Sequence, residues 1–344
     1  MKFDTMALEI PQNGMDRLDA LWARGREFLG CGYAILGGAM TWVSEHGLVA
    51  AISNAGGFGV LATGAMSPEQ LDAEIAATQD ATDKPFGVNI ILMHPQLADL
   101  TDVCTARAVG HVVLAGGLPK RDHIARIKDG GAKAIGFAPA LRIAERLVGF
   151  GVDAIVIEGA EAGGHTGPVS TSVLAQEILP HMTDVPVFVA GGIGRGEAIT
   201  MYLEMGAAGC QLGTRFVCAT ESIAHADFKR AFFRASARDA VLSIQLDPLF
   251  PVIPVRALAN AGTKRFREIQ REAIDQFRSG SVDQVEAQLK IEKFWAGQLR
   301  AAVIDGDVEN GSLMAGQSVG MVTVAQTTQD IIAELVEQSA AALE

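Results

Sequence analysis

The chain is poor in cysteine and aromatic residues and has no long apolar run, and each scarcity excludes something. Its four cysteines, at positions 31, 104, 210 and 218, lie far apart. No pair has metal-ligand spacing and no compact disulfide frame emerges, so reduced thiols are expected and no metal site is assigned. Aromatic residues make up only 6% of 344, against 49% hydrophobic residues and 38 glycines. That balance suits many buried strands joined by tight turns and does not suit a disordered chain. No run is long enough to span a bilayer, and Met1 to Gly30, which mixes Asp, Glu and Arg with Leu and Trp22, has no signal-peptide apolar region. This stretch is expected to form a surface helix across one end of the fold. Excess positive charge is also missing. A net charge of −12 argues against non-specific binding to nucleic acid or anionic membrane, and fits a soluble cytoplasmic protein.

What is present is a regular alternation. Apolar runs at Tyr33–Leu36, Gly59–Ala62, Phe86–Leu92, His111–Ala115, Ala134–Ala138, Ala154–Ile157, Val187–Ala190 and Gln211–Phe216 are separated by helical stretches such as Glu45–Asn54, Pro68–Ala81 and Gly196–Met205. Near-continuous apolar runs are what parallel strands buried on both faces require. Eight βα units predict a TIM (β/α)8 barrel, with an open doubly wound sheet as the alternative. The barrel would comprise residues 1–218 plus 312–344. After Cys218 the pattern changes to charged helical segments, so 219–311 is read as a helical cap, and Thr327–Leu343 as the last barrel helix.

In a barrel the chemistry sits where strands end. The loop after the sixth run, Glu158-Gly159-Ala160-Glu161-Ala162-Gly163-Gly164-His165-Thr166-Gly167, packs two acids and a histidine among glycines. His165 is the candidate for acid–base work, because a histidine titrates near neutrality and this one has little local sequence to pack against. Glu161 is read as solvated, with orientation of His165 as its other role. The remaining histidines (46, 94, 111, 123, 181 and 225) are read as structural, and Cys210 and Cys218 as core. Gly191-Gly192-Ile193-Gly194 and Gly213-Thr214 close the seventh and eighth runs, where barrels place a phosphate against free backbone N–H groups. Arg215 would pair with that phosphate or with a barrel carboxylate. No Gly-x-Gly-x-x-Gly opens a helix after the first run and no Walker-type loop occurs. A mononucleotide such as FMN therefore fits best.

Six motifs together carry a family resemblance: Gly37-Gly38-Ala39-Met40-Thr41-Trp42, Ser53-Asn54-Ala55-Gly56-Gly57, Asp83-Lys84-Pro85-Phe86-Gly87-Val88-Asn89, Glu161-Ala162-Gly163-Gly164-His165, Ala190-Gly191-Gly192-Ile193 and Gly213-Thr214-Arg215-Phe216. From about residue 33 onward the chain resembles the nitronate monooxygenase superfamily, which includes the former 2-nitropropane dioxygenases and the flavin-dependent enoyl-acyl-carrier-protein reductases of type II. The resemblance implies FMN, with Ala39 and Met40 against the ring, Asn89 and Glu158 on its polar side, Gly163 and Gly164 in the loop beside it, Gly191, Gly192, Gly213 and Thr214 on the phosphate, Gln317 over the ring, and His165 catalytic. Gly37 stands where many relatives have Gln. The segment Asp305 to Gln317 is more similar to the enoyl reductases.

The leading expectation is oxidation of an alkyl nitronate with O2 to a carbonyl compound and nitrite. NAD(P)H-dependent reduction of an enoyl thioester on a carrier, or of a quinone, is the alternative, with NAD(P)H as co-substrate. A barrel that binds a phosphometabolite without turnover is a remote third. An acidic carrier protein would need a basic patch on this acidic chain, for which Lys229, Arg230, Arg234, Arg238, Arg256, Lys264, Arg265 and Arg267 are the candidates. A homodimer is compatible with the sequence.

Overall fold

The computed structural model describes residues 13–252, 254–295 and 297–344. Strands β1 (Ile35–Gly37), β2 (Val60–Ala62), β3 (Gly87–Ile91), β4 (His111–Ala115), β5 (Lys133–Phe137) and β6 (Ala154–Glu158) run in order around a barrel. The two-residue strand β7 (Gly164–His165) leaves it, and β8 (Val187–Ala190) and β9 (Gly209–Leu212) complete it. All eight barrel strands are parallel. A parallel bridge between Leu36 and Phe58 joins β1 to the start of β2 and closes the circle. The TIM barrel expected from the sequence is the fold.

Period-two alternation sorts the strand residues. Leu36, Phe58, Val60, Val113, Ile135, Ala154, Val156, Phe188 and Ala190 form a wholly buried inner cluster, while the alternate residues pack outward against the helices. Burying one such phenylalanine contributes about 1.5–3 kcal/mol. Helix Thr328–Ala341 packs between helices His46–Asn54 and Gly196–Glu204, as the last barrel helix should. Ser339 Oγ donates to Gly196 O, and Thr200 Oγ1 donates to Ser339 O, across that seam.

Three sequence expectations change. The N-terminal stretch, of which residues 1–12 lie outside the described part, forms two helices, Gly14–Leu21 and Ala23–Leu29, and is not merely superficial. Leu18, Trp22 and Leu29 are fully buried, and Phe28 and Leu29 seal the barrel's N-terminal end against the inner cluster. The eighth strand stops at Leu212, and Thr214–Val217 is a helical turn, because Gly213 accepts from Phe216 N and Val217 N. The cap is not purely helical. Strands β10 (Ala240–Leu242) and β11 (Val255–Leu258) pair antiparallel, and β11 pairs in turn with β7.

The cap's helix Ala261–Arg278 begins with an Asn260–Thr263 capping box. With helix Gln284–Trp295 it encloses a separate small core around Phe250, Phe266, Ala273, Ala287 and Ile291. Gln270, buried within it, donates to Ile244 O and accepts from Leu246 N, so its amide replaces a missing strand for that segment.

Candidate active site

The C-terminal ends of the barrel strands gather the residues singled out by sequence. Glu158 ends β6 two positions beyond inward-facing Val156, so it too faces the barrel interior. Asn89 pairs with Val113 across β3 and β4 and is buried. Its Nδ2 donates to Val113 O at 3.1 Å, which leaves its carbonyl oxygen for the mouth. Ala39 packs on the inner cluster, and Met40 Sδ lies beside Gly213, within 3.5 Å of where a Cβ would stand.

Sequence reasoning missed Gln211. It pairs with Ala190 and with Leu36, both inward-facing, and its side chain lies beside Gly38. Among the described residues, no group bonds to its amide. The available sign was a polar residue inside an otherwise apolar buried strand. Asn89, Glu158 and Gln211 thus present open polar groups towards the mouth of the barrel.

Next to them lies a cradle. Gly191 and Gly192 have φ of +101° and +73°, a conformation that glycine adopts at little cost. A Cβ on Gly191 would also stand 2.9 Å from Thr171 Oγ1 and 3.1 Å from Gly159 O. Among the described residues, the N–H groups of Gly191, Gly192, Ile193 and Gly213 find no acceptor within the chain. Thr214 Oγ1 accepts from Gly316 N at 3.0 Å and keeps its own proton to donate. This donor set fits a phosphate between β8 and β9, and the polar mouth beside it fits a ring with hydrogen-bonding edges.

The loop after β6 is built differently from its sequence reading. Gly163 makes room for protein: a Cβ there would lie 2.6 Å from Ala315 C and Gly316 N. Gln317 N donates to Glu161 O at 2.9 Å, so the returning segment 313–317 is laid on this loop, with half-buried Gln317 at the site's edge. Gly164 has φ +78° and lies beside Met314 Sδ. Glu161 is half-buried and does not orient His165. Its carboxylate accepts from Thr171 N and Thr171 Oγ1, each at 2.8 Å, and ties the loop to helix Thr171–Ile178.

His165 is carried by β7, paired with Val255 of the cap. Its ring stands exposed at the rim and, among the described residues, neither nitrogen has a partner. Partial desolvation by the surrounding protein holds its pKa below the usual histidine value. Burial pushes Glu158 the other way, up to about 7. Buried Arg256 on β11 donates to Ala160 O at 2.8 Å and to Ala240 O at 2.6 Å, anchoring the cap to the histidine loop. Arg300, in helix Gln298–Val303, lies 5.8 Å over the ring of Trp42 on the loop after β1, whose φ of +68° is strained for an aromatic residue.

Other candidates resolve plainly. Arg215 takes the carboxylate option: its buried guanidinium bonds to Glu334 at 2.9 Å, to Gln326 Oε1 and to Met321 O. Four of the eight basic candidates are committed within the fold. Lys229 turns inward onto the carbonyls of Ala219 and Ser222, Arg230 pairs with Asp227, Arg265 pairs with Glu268 and Glu272, and Arg256 is buried. The four cysteines are free, and burial pushes the thiols of Cys31, Cys104 and Cys218 up to about 12. His46, His94, His111 and His225 each bond to nearby backbone or to a carboxylate. Glu45, His46 and Glu74 come close enough to share a cation, but they already serve the start of helix His46–Asn54, where Glu45 accepts from Gly47 N and Leu48 N and Glu74 from His46 N.

A barrel with a glycine cradle, a polar mouth and a histidine at its rim defines a class, and comparison with known proteins assigns the member family. The nitronate monooxygenase family model matches residues 24–338. The chain belongs to that family and is an oxidoreductase. It is 31% identical over 339 residues to the (3aS,4S,5R,7aS)-5-hydroxy-7a-methyl-1-oxo-octahydro-1H-indene-4-carboxyl-CoA dehydrogenase of Mycobacterium tuberculosis, covering 90% of this chain and 94% of the relative. The structure of FabK from Thermotoga maritima superposes with a TM-score of 0.82 and 34% identity, over 92% of this chain and 95% of FabK. The nitroalkane oxidase of Streptomyces ansochromogenes superposes with a TM-score of 0.74 and 26% identity, over 91% and 97% of the two chains.

Proposed function

We propose that the protein is an FMN-dependent oxidoreductase acting on an acyl thioester, in which the carbons beside the thioester carbonyl gain or lose two electrons. A bound flavin would supply hydride exchange. Gly191, Gly192, Gly213 and Thr214 would hold its phosphate, and Asn89, Glu158 and Gln211 its polar edge, with Ala39 and Met40 against the ring. His165 can hold or deliver the accompanying proton, or polarise the thioester carbonyl through a ring N–H. Because β7 pairs with β11, a substrate admitted by the cap meets the histidine directly.

The observation that favours a thioester over a small nitronate is resemblance along the whole chain to a dehydrogenase of a CoA thioester, together with similarity to FabK, an enoyl-acyl-carrier-protein reductase. Nitronate oxidation is the second reading, favoured by the likeness to nitroalkane oxidase. Anaerobic bleaching of the flavin separates the two. Bleaching by NADH or NADPH, with re-oxidation by an enoyl-CoA, or direct bleaching by a saturated acyl-CoA, supports the thioester reading. Bleaching by a nitronate alone overturns it in favour of the second. A colourless protein that FMN cannot reconstitute overturns both.

A further inference from the structure

Glu158 differs from every other acid in the barrel. It is half-buried at the mouth, yet among the described residues no group of the chain bonds to it, whereas Glu161, three residues on, has two donors from Thr171. Its nearest strand partner is Ala190 on β8, with Gln211 one strand further, and neither carries charge. On β5 the ionisable side chain is Lys133, at the opposite end of the strand and committed to Phe28 O. In the loop and cap above lie Glu161, His165 and Arg256, and Arg256 is spent on two backbone carbonyls. None of these groups offsets a charge on Glu158. Burial alone governs its ionisation and brings its pKa to about 7 before any ligand covers it.

A flat ring laid over this carboxyl removes the remaining water. An ionised carboxylate would then be buried with no counter-charge, which is strongly unfavourable. A protonated carboxyl instead has one O–H to donate, and a flavin edge offers carbonyl oxygens and unprotonated ring nitrogens to receive it. The flavin's own N–H can be met by the amide oxygen of Asn89 or Gln211 at no charge cost.

We propose that Glu158 receives the flavin as a carboxylic acid and donates its proton in a hydrogen bond to an acceptor on the ring, so that cofactor binding takes up a proton. This rests on the flavin reading above. Glu158 is then a pH-sensing contact of the cofactor site.

The test is FMN affinity against pH. The full-length chain is equilibrated with FMN between pH 6 and 9, and free flavin is read by its fluorescence on dilution, for wild type, Glu158→Gln and Glu158→Asp. The ratio of wild-type to E158Q dissociation constants cancels titration of the FMN phosphate and of His165, which both proteins share. That ratio should rise about tenfold per pH unit above about 7, and E158D should keep the slope with weaker binding. A flat ratio makes Glu158 a spectator, and a ratio that falls with pH makes it an ionised acceptor from the ring N–H; either overturns the proposal. Should E158Q fail to fold, the slopes of wild type and E158D decide it. Wild type that binds no FMN at any pH overturns the cofactor reading itself.

Discussion

His165 and Val255 are paired residues of one antiparallel sheet, although they lie ninety positions apart and on opposite sides of the barrel–cap boundary. Thr166 N continues the connection by donating to Pro254 O at 3.2 Å. The candidate catalytic ring is therefore positioned by the cap as much as by the barrel. The glycine cradle belongs instead to the ends of β8 and β9.

That separation predicts how His165→Ala behaves. FMN should remain bound, read from the visible absorbance after gel filtration, while turnover falls by about 10²–10⁴-fold, the usual contribution of a general acid or base. Undiminished turnover would assign the ring to structure.

Gly163 allows the returning segment to close on the loop after β6. In Gly163→Ala the added methyl would sit 2.6 Å from the Ala315 and Gly316 backbone, and backbone cannot yield as a flexible side chain can. Gly316 must move, and its bond to Thr214 Oγ1 with it. FMN affinity should fall at least tenfold with a lower melting temperature; wild-type affinity would show that this contact is slack.

Arg215 ties the turn after β9 to helix Thr328–Ala341 through Glu334. Arg215→Met leaves a carboxylate that is about one-third exposed, so the loss should be about 2–3 kcal/mol, below that of a fully buried pair. Denaturant unfolding measures it. Per-site FMN affinity in the folded fraction should change less than threefold, because the guanidinium faces the helix and not the cradle.

His111 gives the fold an acid limit. Its Nε2 bonds to Phe28 O at 3.0 Å, its ring lies edge-on to Phe28 and Phe58, and burial lowers its pKa to about 4. The unfolded chain binds the proton near pH 6.5 and the folded chain only near 4. Stability from this group is complete above about 6.5 and is lost as pH falls towards 4, a difference of about 3 kcal/mol. His111→Phe should be less stable at pH 7 for want of the bond, yet show a flatter melting temperature between pH 4 and 6.5. An unchanged slope would remove His111 from the acid response.

The sequence by itself determined the barrel, its eight strands and the set of loops that meet at its mouth. Apolar runs at βα spacing can be buried on both faces in few ways, and glycines at strand ends mark where backbone must turn or come close to something. Its limit was saying to what. The glycines at 163 and 164 read as space for a ring, whereas Gly163 faces segment 313–317, because the identity of a neighbour 150 residues away leaves no local trace.

Only the tertiary structure decided the rest. It bonded Glu161 to Thr171 and not to His165, gave Arg215 to Glu334, paired or buried four of the basic residues, and turned Gln211 into the mouth. Each of these outcomes depends on which polar groups are brought within about 3 Å of one another, and chain spacing does not fix that. The cap's strand pairing with β7 is the clearest case. Two residues of backbone after Gly163 carry no strand pattern of their own, and they become a strand only because β11 arrives to pair with them.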